Sequence, residues 1–160
     1  MRSYQWKVDR VSADPEPEDF VEFASACTPQ LFRSAYLLTG DYHLAEDLVQ
    51  TALGKLYRFW RRIERVENPV AYAHTVLART YISYRRLRRS TEAPVWELPE
   101  QVAVDGDPAL RMTLISGLAK LSVRDRTVLV LRYWEDRSVE ETAQMLGIRA
   151  GAVRSQTMRA

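Results

Sequence analysis

A single cysteine, Cys27, stands among 160 residues, which excludes an intramolecular disulfide and fits a reducing compartment. Its neighbours Ala26, Thr28 and Pro29 supply no base, so a small buried residue is expected there and not a nucleophile. No apolar run approaches 18 residues, so no membrane-spanning helix is expected. The opening MRSYQWKVDRVSADPEPEDF has no apolar core of a secretory signal, and a cytoplasmic protein is the expectation. Ser-His-Asp sets, Cys-His pairs and glycine-rich phosphate loops are all missing, so neither an enzyme nor a cofactor is expected. The chain has 2 histidines. His43 lies near Asp41, Glu46 and Asp47 at a helix start, where charge that complements the helix dipole and contacts a partner explains the group better than a metal. His74 stands alone and is expected at the surface or half-buried.

Two local absences are more informative. Between Asn68 and Thr91 there is no acid, while Arg79, Arg85, Arg86, Arg88 and Arg89 accumulate beside Tyr72, Tyr81 and Tyr84. Uncompensated arginines repel one another, and phosphates with unstacked bases satisfy both residue types. A helix that touches nucleic acid is expected, with Tyr72 the tyrosine best placed to reach it and Tyr81 and Tyr84 divided between core and ligand. Residues 90–107, STEAPVWELPEQVAVDGD, instead hold five acids and no Lys or Arg. Their prolines discourage a helix. An extended acidic linker is expected, joining two halves flexibly. The net charge of +2 averages over these blocks and hides them.

What is present reads as helix throughout. Residues 1–18 are expected to be a flexible extension. Helices follow from Asp19 toward Ala26 and from Thr28-Pro29 to Gly40. In Asp41–Ile63, Ala45, Leu48, Val49, Ala52, Leu56, Phe59, Trp60 and Ile63 recur at helical spacing and form one core face. Asn68-Pro69 starts the arginine-rich helix as N-cap and first position. Beyond the linker, Asp107-Pro108 opens a helix with Leu110, Leu114, Ile115, Leu118 and Leu121 on one side. Ser122 with Asp125 starts another through Val128, Leu129, Leu131 and Tyr133. Ser138 with Glu141 forms a capping box for a third, ended by Gly147. The last helix begins near Ala150. Helix, glycine turn and helix at this spacing is the helix-turn-helix pattern, and its Arg149, Arg154, Ser155, Gln156 and Arg159 suit phosphates and base edges. Trp60 and Trp134 are expected in the core.

In order and spacing these segments resemble the extracytoplasmic-function sigma factors, the small two-domain class of bacterial RNA polymerase specificity subunits within the sigma-70 superfamily. DYHLAEDLVQTAL is similar to the family's D-x-x-x-A-E-D-L-x-Q segment, ENPVAYAHTVLARTYISYRRLRR to its −10-reading part, and LSVRDRTVLVLRYWEDRSVEETAQMLGIRAGAVRSQTMRA to its −35-reading domain. The resemblance implies an all-α protein with two small helical domains. A four-helix region 2-like bundle would occupy 19–89, the acidic linker 90–107 and a helix-turn-helix region 4-like domain 108–160. It implies core polymerase as partner, through the beta-prime clamp helices and the beta flap, together with promoter DNA and an anti-sigma factor. Glu46, Asp47, Gln50, Thr51, Leu53 and Tyr57 match polymerase-docking positions. Glu67, Asn68, Val70 and Tyr72 match a loop and pocket for a flipped −10 base. Arg79, Arg85, Arg86, Arg88 and Arg89 fall on the −10 side, although many relatives carry Asn at the place of Arg79. Arg149, Ala152, Arg154, Ser155, Gln156 and Arg159 fall in or beside the −35 recognition helix, Arg149 replacing the usual Ser or Thr cap. The competing reading is a helix-turn-helix regulator that never binds core polymerase; a second competitor is a helical adaptor whose basic helix is merely solvated.

Overall fold

The computed structural model describes residues 17–88 and 106–160. The expected N-terminal extension up to 16, the linker segment 89–105 and Arg89 lie outside the described residues. Every regular element among those described is helical.

The first element corrects the sequence expectation. Pro17–Thr39 is one helix, α1, with Pro29 inside it, not two helices parted at Thr28-Pro29. An internal proline removes one backbone bond at a cost of about 3 kcal/mol. Tertiary packing offsets it, because Phe20, Phe23, Cys27, Leu31, Ala35 and Leu38 form one unbroken stripe against the core. Cys27 is buried, and burial is the main cause that raises its thiol pKa. Gly40, at φ 66°, turns the chain where a side chain would be strained.

Tyr42–Arg58 forms α2, capped by Asp41, whose carboxylate accepts from the Leu44 N–H at 3.0 Å. The expected single helix to Ile63 breaks at Phe59 (φ −119°, ψ 15°), and Trp60–Ile63 forms a separate turn, α3. The break leaves Phe59 exposed and puts Trp60 in the core, its ring 4.7 Å from that of Phe23. Pro69–Arg88 forms α4. Asn68 accepts from the Ala71 N–H at 3.0 Å, as its cap position requires.

Pro108–Ala119 (α5) follows, capped by Asp107, and Val123–Leu129 (α6), capped by Ser122. A π-helical turn at Val130–Trp134 then widens the chain, closed by Glu135 N–H to Val130 O at 3.0 Å. This turn overturns the expectation of a buried Trp134, which turns outward beside Tyr133. They are 48% and 67% exposed, while Val130 and Leu131 take the core places. On α5 only Ile115 and Leu118 are buried, and Leu110 and Leu114 face outward. Val139–Leu146 (α7), the left-handed Gly147 and Ala150–Arg159 (α8) complete the helix-turn-helix, with Val128, Ala143 and Val153 at its centre.

The α7 box is complete. Glu141 Oε2 accepts from the Ser138 N–H at 2.7 Å, and Ser138 Oγ accepts from the Glu141 N–H at 3.0 Å. The bond from the Ser138 backbone is the main cause that lowers the Glu141 pKa below its ordinary 4.5. A depressed native pKa means stability that is present above the unfolded value and lost as pH falls through the native one. Glu141→Gln, which can still cap, is therefore expected to melt below wild type at pH 7. The gap should close at pH values well under 4.5; an equal gap at both ends of a melting series would refute the ionic contribution.

The two halves are not separate bodies, contrary to the flexible joining expected from the linker. Ile115, Leu118 and Val130 belong to the same buried cluster as the α1, α2 and α4 core. Ala78 of α4 packs with Leu131 and Met145 in a second cluster. Arg126 is 3% exposed and ties the halves together. It donates to Leu118 O (2.8 Å), Ala119 O (3.2 Å) and Leu121 O (3.0 Å) in its own half, and to Leu38 O (2.8 Å) and the Tyr81 hydroxyl (2.7 Å) in the other. These carbonyls close the C-terminal ends of α1 and α5, where helix dipoles favour a cation.

Candidate functional site

On α2 the face opposite the core carries the residues singled out in the sequence. Asp47, Gln50, Thr51 and Tyr57 are exposed, and Glu46 and Leu53 are half-buried at the edge. Thr51 turns its hydroxyl back to Asp47 O at 2.8 Å, leaving the Asp47 carboxylate outward. The spacing of 47, 50, 51 and 57 makes one stripe along the helix. Among the described residues no group of three potential ligands could hold a metal.

The start of α4 forms a second surface. Glu67 and Asn68 are exposed, Val70 and Tyr72 half-buried. Burial raises the Tyr72 hydroxyl pKa, and the charge of Arg79 pulls it partly back. At the far end Arg86 and Arg88 are exposed, and Arg85 is half-buried. Arg88 lies over the Tyr84 ring at 5.4 Å and donates to its hydroxyl at 2.8 Å. Tyr81, in contrast, is fully buried on Arg126, so of the three tyrosines it is a core residue. Arg79 turns toward the other half: its Nε donates to Met145 O at 2.7 Å and its Nη2 to Gln144 O at 3.3 Å. It thereby supplies a side-chain donor at the C-terminal end of α7, where Gln144 O also accepts from the Gly147 N–H at 3.3 Å.

The third surface is α8. Arg149, Arg154, Ser155 and Arg159 are exposed, Ala152 is half-buried. Arg149 occupies the N-cap position without a side-chain cap bond. Arg154 meets Glu140 at 3.3 Å and Arg159 meets Asp125 at 3.6 Å. The first pair is exposed on both sides and contributes about 0–1 kcal/mol, so a phosphate or base edge can displace it, whereas the Asp125 side chain is only 18% exposed. Gln156 faces inward, lining a cleft of about 220 Å³ with Arg79, Ile82, Ser83 and Arg124.

Sequence reasoning missed two groups. His74 is 5% exposed, not a surface residue, and its Nδ1 lies 2.8 Å from Glu135 Oε1. Arg126 had no local signal, because its partners Leu38 and Tyr81 lie 88 and 45 residues away. A third feature is the outward apolar surface made by the π turn: Leu37, Leu114, Leu118, Leu129, Tyr133 and Trp134 line a groove of about 320 Å³.

An acid-and-amide stripe, an arginine-tyrosine helix and a helix-turn-helix define a two-part helical DNA-binding protein. Comparison with known proteins makes this specific. Residues 23–91 match the family described as sigma-70 region 2, and residues 111–160 match sigma-70, region 4. The RNA polymerase sigma-E factor of Streptomyces coelicolor is 39% identical over 144 residues, covering 89% of this chain and 81% of the relative. The ECF RNA polymerase sigma factor SigL of Mycobacterium tuberculosis is 32% identical, covering 79% and 75%. Among solved structures, the sigma factor RpoE in complex with the anti-sigma factor NepR from Bartonella quintana superposes with a TM-score of 0.75 at 25% identity, covering 89% of this chain and 91% of that one. The chain belongs to the sigma-70 family, among its extracytoplasmic-function sigma factors.

Proposed function

We propose a division of labour among these surfaces for a sigma factor, a protein that binds core RNA polymerase and directs promoter-specific initiation. The α2 stripe of Glu46, Asp47, Gln50, Thr51, Leu53 and Tyr57 docks to the beta-prime clamp helices. The loop and first turn of α4, with Glu67, Asn68, Val70 and Tyr72, hold a −10 base once it leaves the duplex. Arg79, Arg85, Arg86, Arg88 and Arg89 guide the unpaired strand. Arg149, Ala152, Arg154, Ser155, Gln156 and Arg159 serve the −35 element. The groove beside Tyr133 and Trp134 suits an apolar segment of the polymerase, and the beta flap is the partner assigned to it. The acidic linker follows the enzyme toward its active site or RNA exit path. The chain acts in the cytoplasm with the polymerase, which carries out all the chemistry. An anti-sigma factor is a further partner, since the structural relative was solved with one. A regulator confined to the helix-turn-helix has no use for a region 2 match over 23–91.

The observation that carries this reading is the α2 stripe, polar and outward along a helix whose other face supplies Ala45, Leu48, Val49, Ala52 and Leu56 to the core. Exposed Asp47 and Gln50 have no part in that core, so Asp47→Ala and Gln50→Ala should leave the melting curve unchanged. A lost charge-assisted contact costs about 1–3 kcal/mol, or roughly five- to 150-fold in affinity for core polymerase. Unaltered affinity of both variants in a direct binding assay removes the docking assignment.

A further inference from the structure

The cleft that Gln156 faces joins one stripe of α4 to residues of three other segments. Arg79, Ile82 and Ser83 recur at i, i+3 and i+4, which puts them on one face of α4. Arg124 of α6, Ile148 in the turn after α7 and Gln156 of α8 line the same space of about 220 Å³. Among the described residues no acid lines it. Asp125, next to Arg124 in the chain, leans to Arg159 at 3.6 Å, and Arg124 itself makes no ion pair among the described residues. Arg79 is fixed at the cleft by Met145 O and Gln144 O, which take its Nε and Nη2. Those two bonds leave the Nη1 donors for another acceptor. The side-chain carbonyl oxygen of Gln156 is buried and has no hydrogen-bond partner among the described residues. Most buried acceptors in folded proteins have one, so this oxygen calls for an N–H or O–H from outside the chain.

We propose that this cleft is a small-molecule site for a nucleoside monophosphate, a phosphate joined to a ring that carries N–H donors. Two guanidiniums from different helices, with the Ser83 hydroxyl, suit the phosphate, because the arginine fork matches its oxygens. Ile82 and Ile148, both half-buried, give an apolar wall for a flat ring. The Gln156 oxygen accepts from an N–H at the ring's edge, a demand that phosphate alone does not meet. Size selects as well: drug-sized sites run to about 300–1,000 Å³, so this smaller cleft takes one nucleotide and not an oligomer. A base within a strand offers the same chemistry, and the experiment separates the two sources. Binding itself does not rest on the sigma-factor reading. One consequence does: Arg79 and Gln156 are among the residues assigned to DNA, so a bound nucleotide withholds them and opposes promoter binding.

The test is calorimetry on the full chain without polymerase, using AMP, GMP, CMP and UMP, with adenosine and inorganic phosphate as partial probes. At least one nucleotide should bind once per chain with Kd at or below about 1 mM, and about tenfold more tightly than either partial probe. Arg124→Ala, at an exposed position, should weaken nucleotide and inorganic phosphate alike by about tenfold. Gln156→Leu keeps the bulk but loses the acceptor, so it should weaken the nucleotide and leave inorganic phosphate unchanged. Arg33→Gln removes one exposed charge from α1 and should change neither. Absence of saturable binding by all four nucleotides below about 10 mM overturns the site, as does equal loss in Arg33→Gln and Arg124→Ala. Tighter binding of an unphosphorylated single-stranded tetranucleotide, lost in the same two variants, also overturns it, since a strand is then the ligand. A nucleotide that binds as expected but does not compete with a promoter fragment leaves the site standing and refutes the DNA roles of Arg79 and Gln156.

Discussion

Arg126→Met is expected to destabilise the folded protein by about 3–5 kcal/mol and to divide its unfolding into two transitions. Methionine keeps much of the apolar stem but none of the donors. The carbonyls of Leu38, Leu118, Ala119 and Leu121, and the Tyr81 hydroxyl, would each lose a bond now made at 2.7–3.2 Å. A buried acceptor left without its donor costs about 1–3 kcal/mol, and partial access of water to the opened seam keeps the sum below a simple total. Burial already works against the charged guanidinium and is the main cause that lowers its pKa, with Tyr81 opposing. The cation is therefore held by its acceptors, and its removal is felt on both sides of the seam. For a chain of this size about 2–4 °C of melting temperature accompany each kcal/mol, so a drop of roughly 10 °C is expected. Tyr81→Phe is the comparison: it deletes one bond and leaves the guanidinium on Leu38 O, so about 1 kcal/mol and a single transition are expected. Calorimetry of the three proteins decides. If Arg126→Met melts in one step within 1 kcal/mol of wild type, the residue is not what unites the halves.

The second large effect concerns what each DNA surface reads. Arg154 and Ser155 stand outward on α8, where a recognition helix meets base edges. Arg154→Ala or Ser155→Ala should cost about 1–3 kcal/mol at one −35 position and little at others. Arg86 and Arg88 stand exposed at the end of α4, where a backbone passes. Replacing both with Gln should weaken all promoters alike and reduce the salt slope by about 1.4, at about 0.7 per single-strand phosphate contact. Binding titrations over a promoter library at several salt concentrations separate the two. If the α4 variant changes base preference, or the α8 variant weakens every sequence equally, the roles are assigned the wrong way round.

Much of this was visible in the chain itself, for a definite reason. Caps, turns and periodic faces depend on residues within one or two turns of each other. The Asn68, Asp107, Ser122 and Ser138 caps, the Gly147 turn and the buried face of α2 are all interactions of that range. The charge blocks could be read for the same reason, since an acid-free run of arginines is a property of consecutive residues. The motifs at 46–57, 67–89 and 149–159 led to the family by their order, which needs no geometry.

The tertiary structure alone decided three other matters. Pro29 signals a break locally, but an apolar stripe from Phe20 to Leu38 packs continuously and outweighs it. Trp134 has the apolar bulk of a core residue, yet in the π turn Val130 and Leu131 go inward and Trp134 stays 48% exposed. Most of all, the acidic linker suggested independent halves, whereas Arg126 joins Leu38 and Tyr81 across 88 and 45 residues of sequence. Such a contact has no local signature: a buried arginine reads as a surface charge until the carbonyl ends of two helices converge on it. Sequence spacing determined which helices form and what their outer faces can bind; the folded chain decided which of those faces meet each other first.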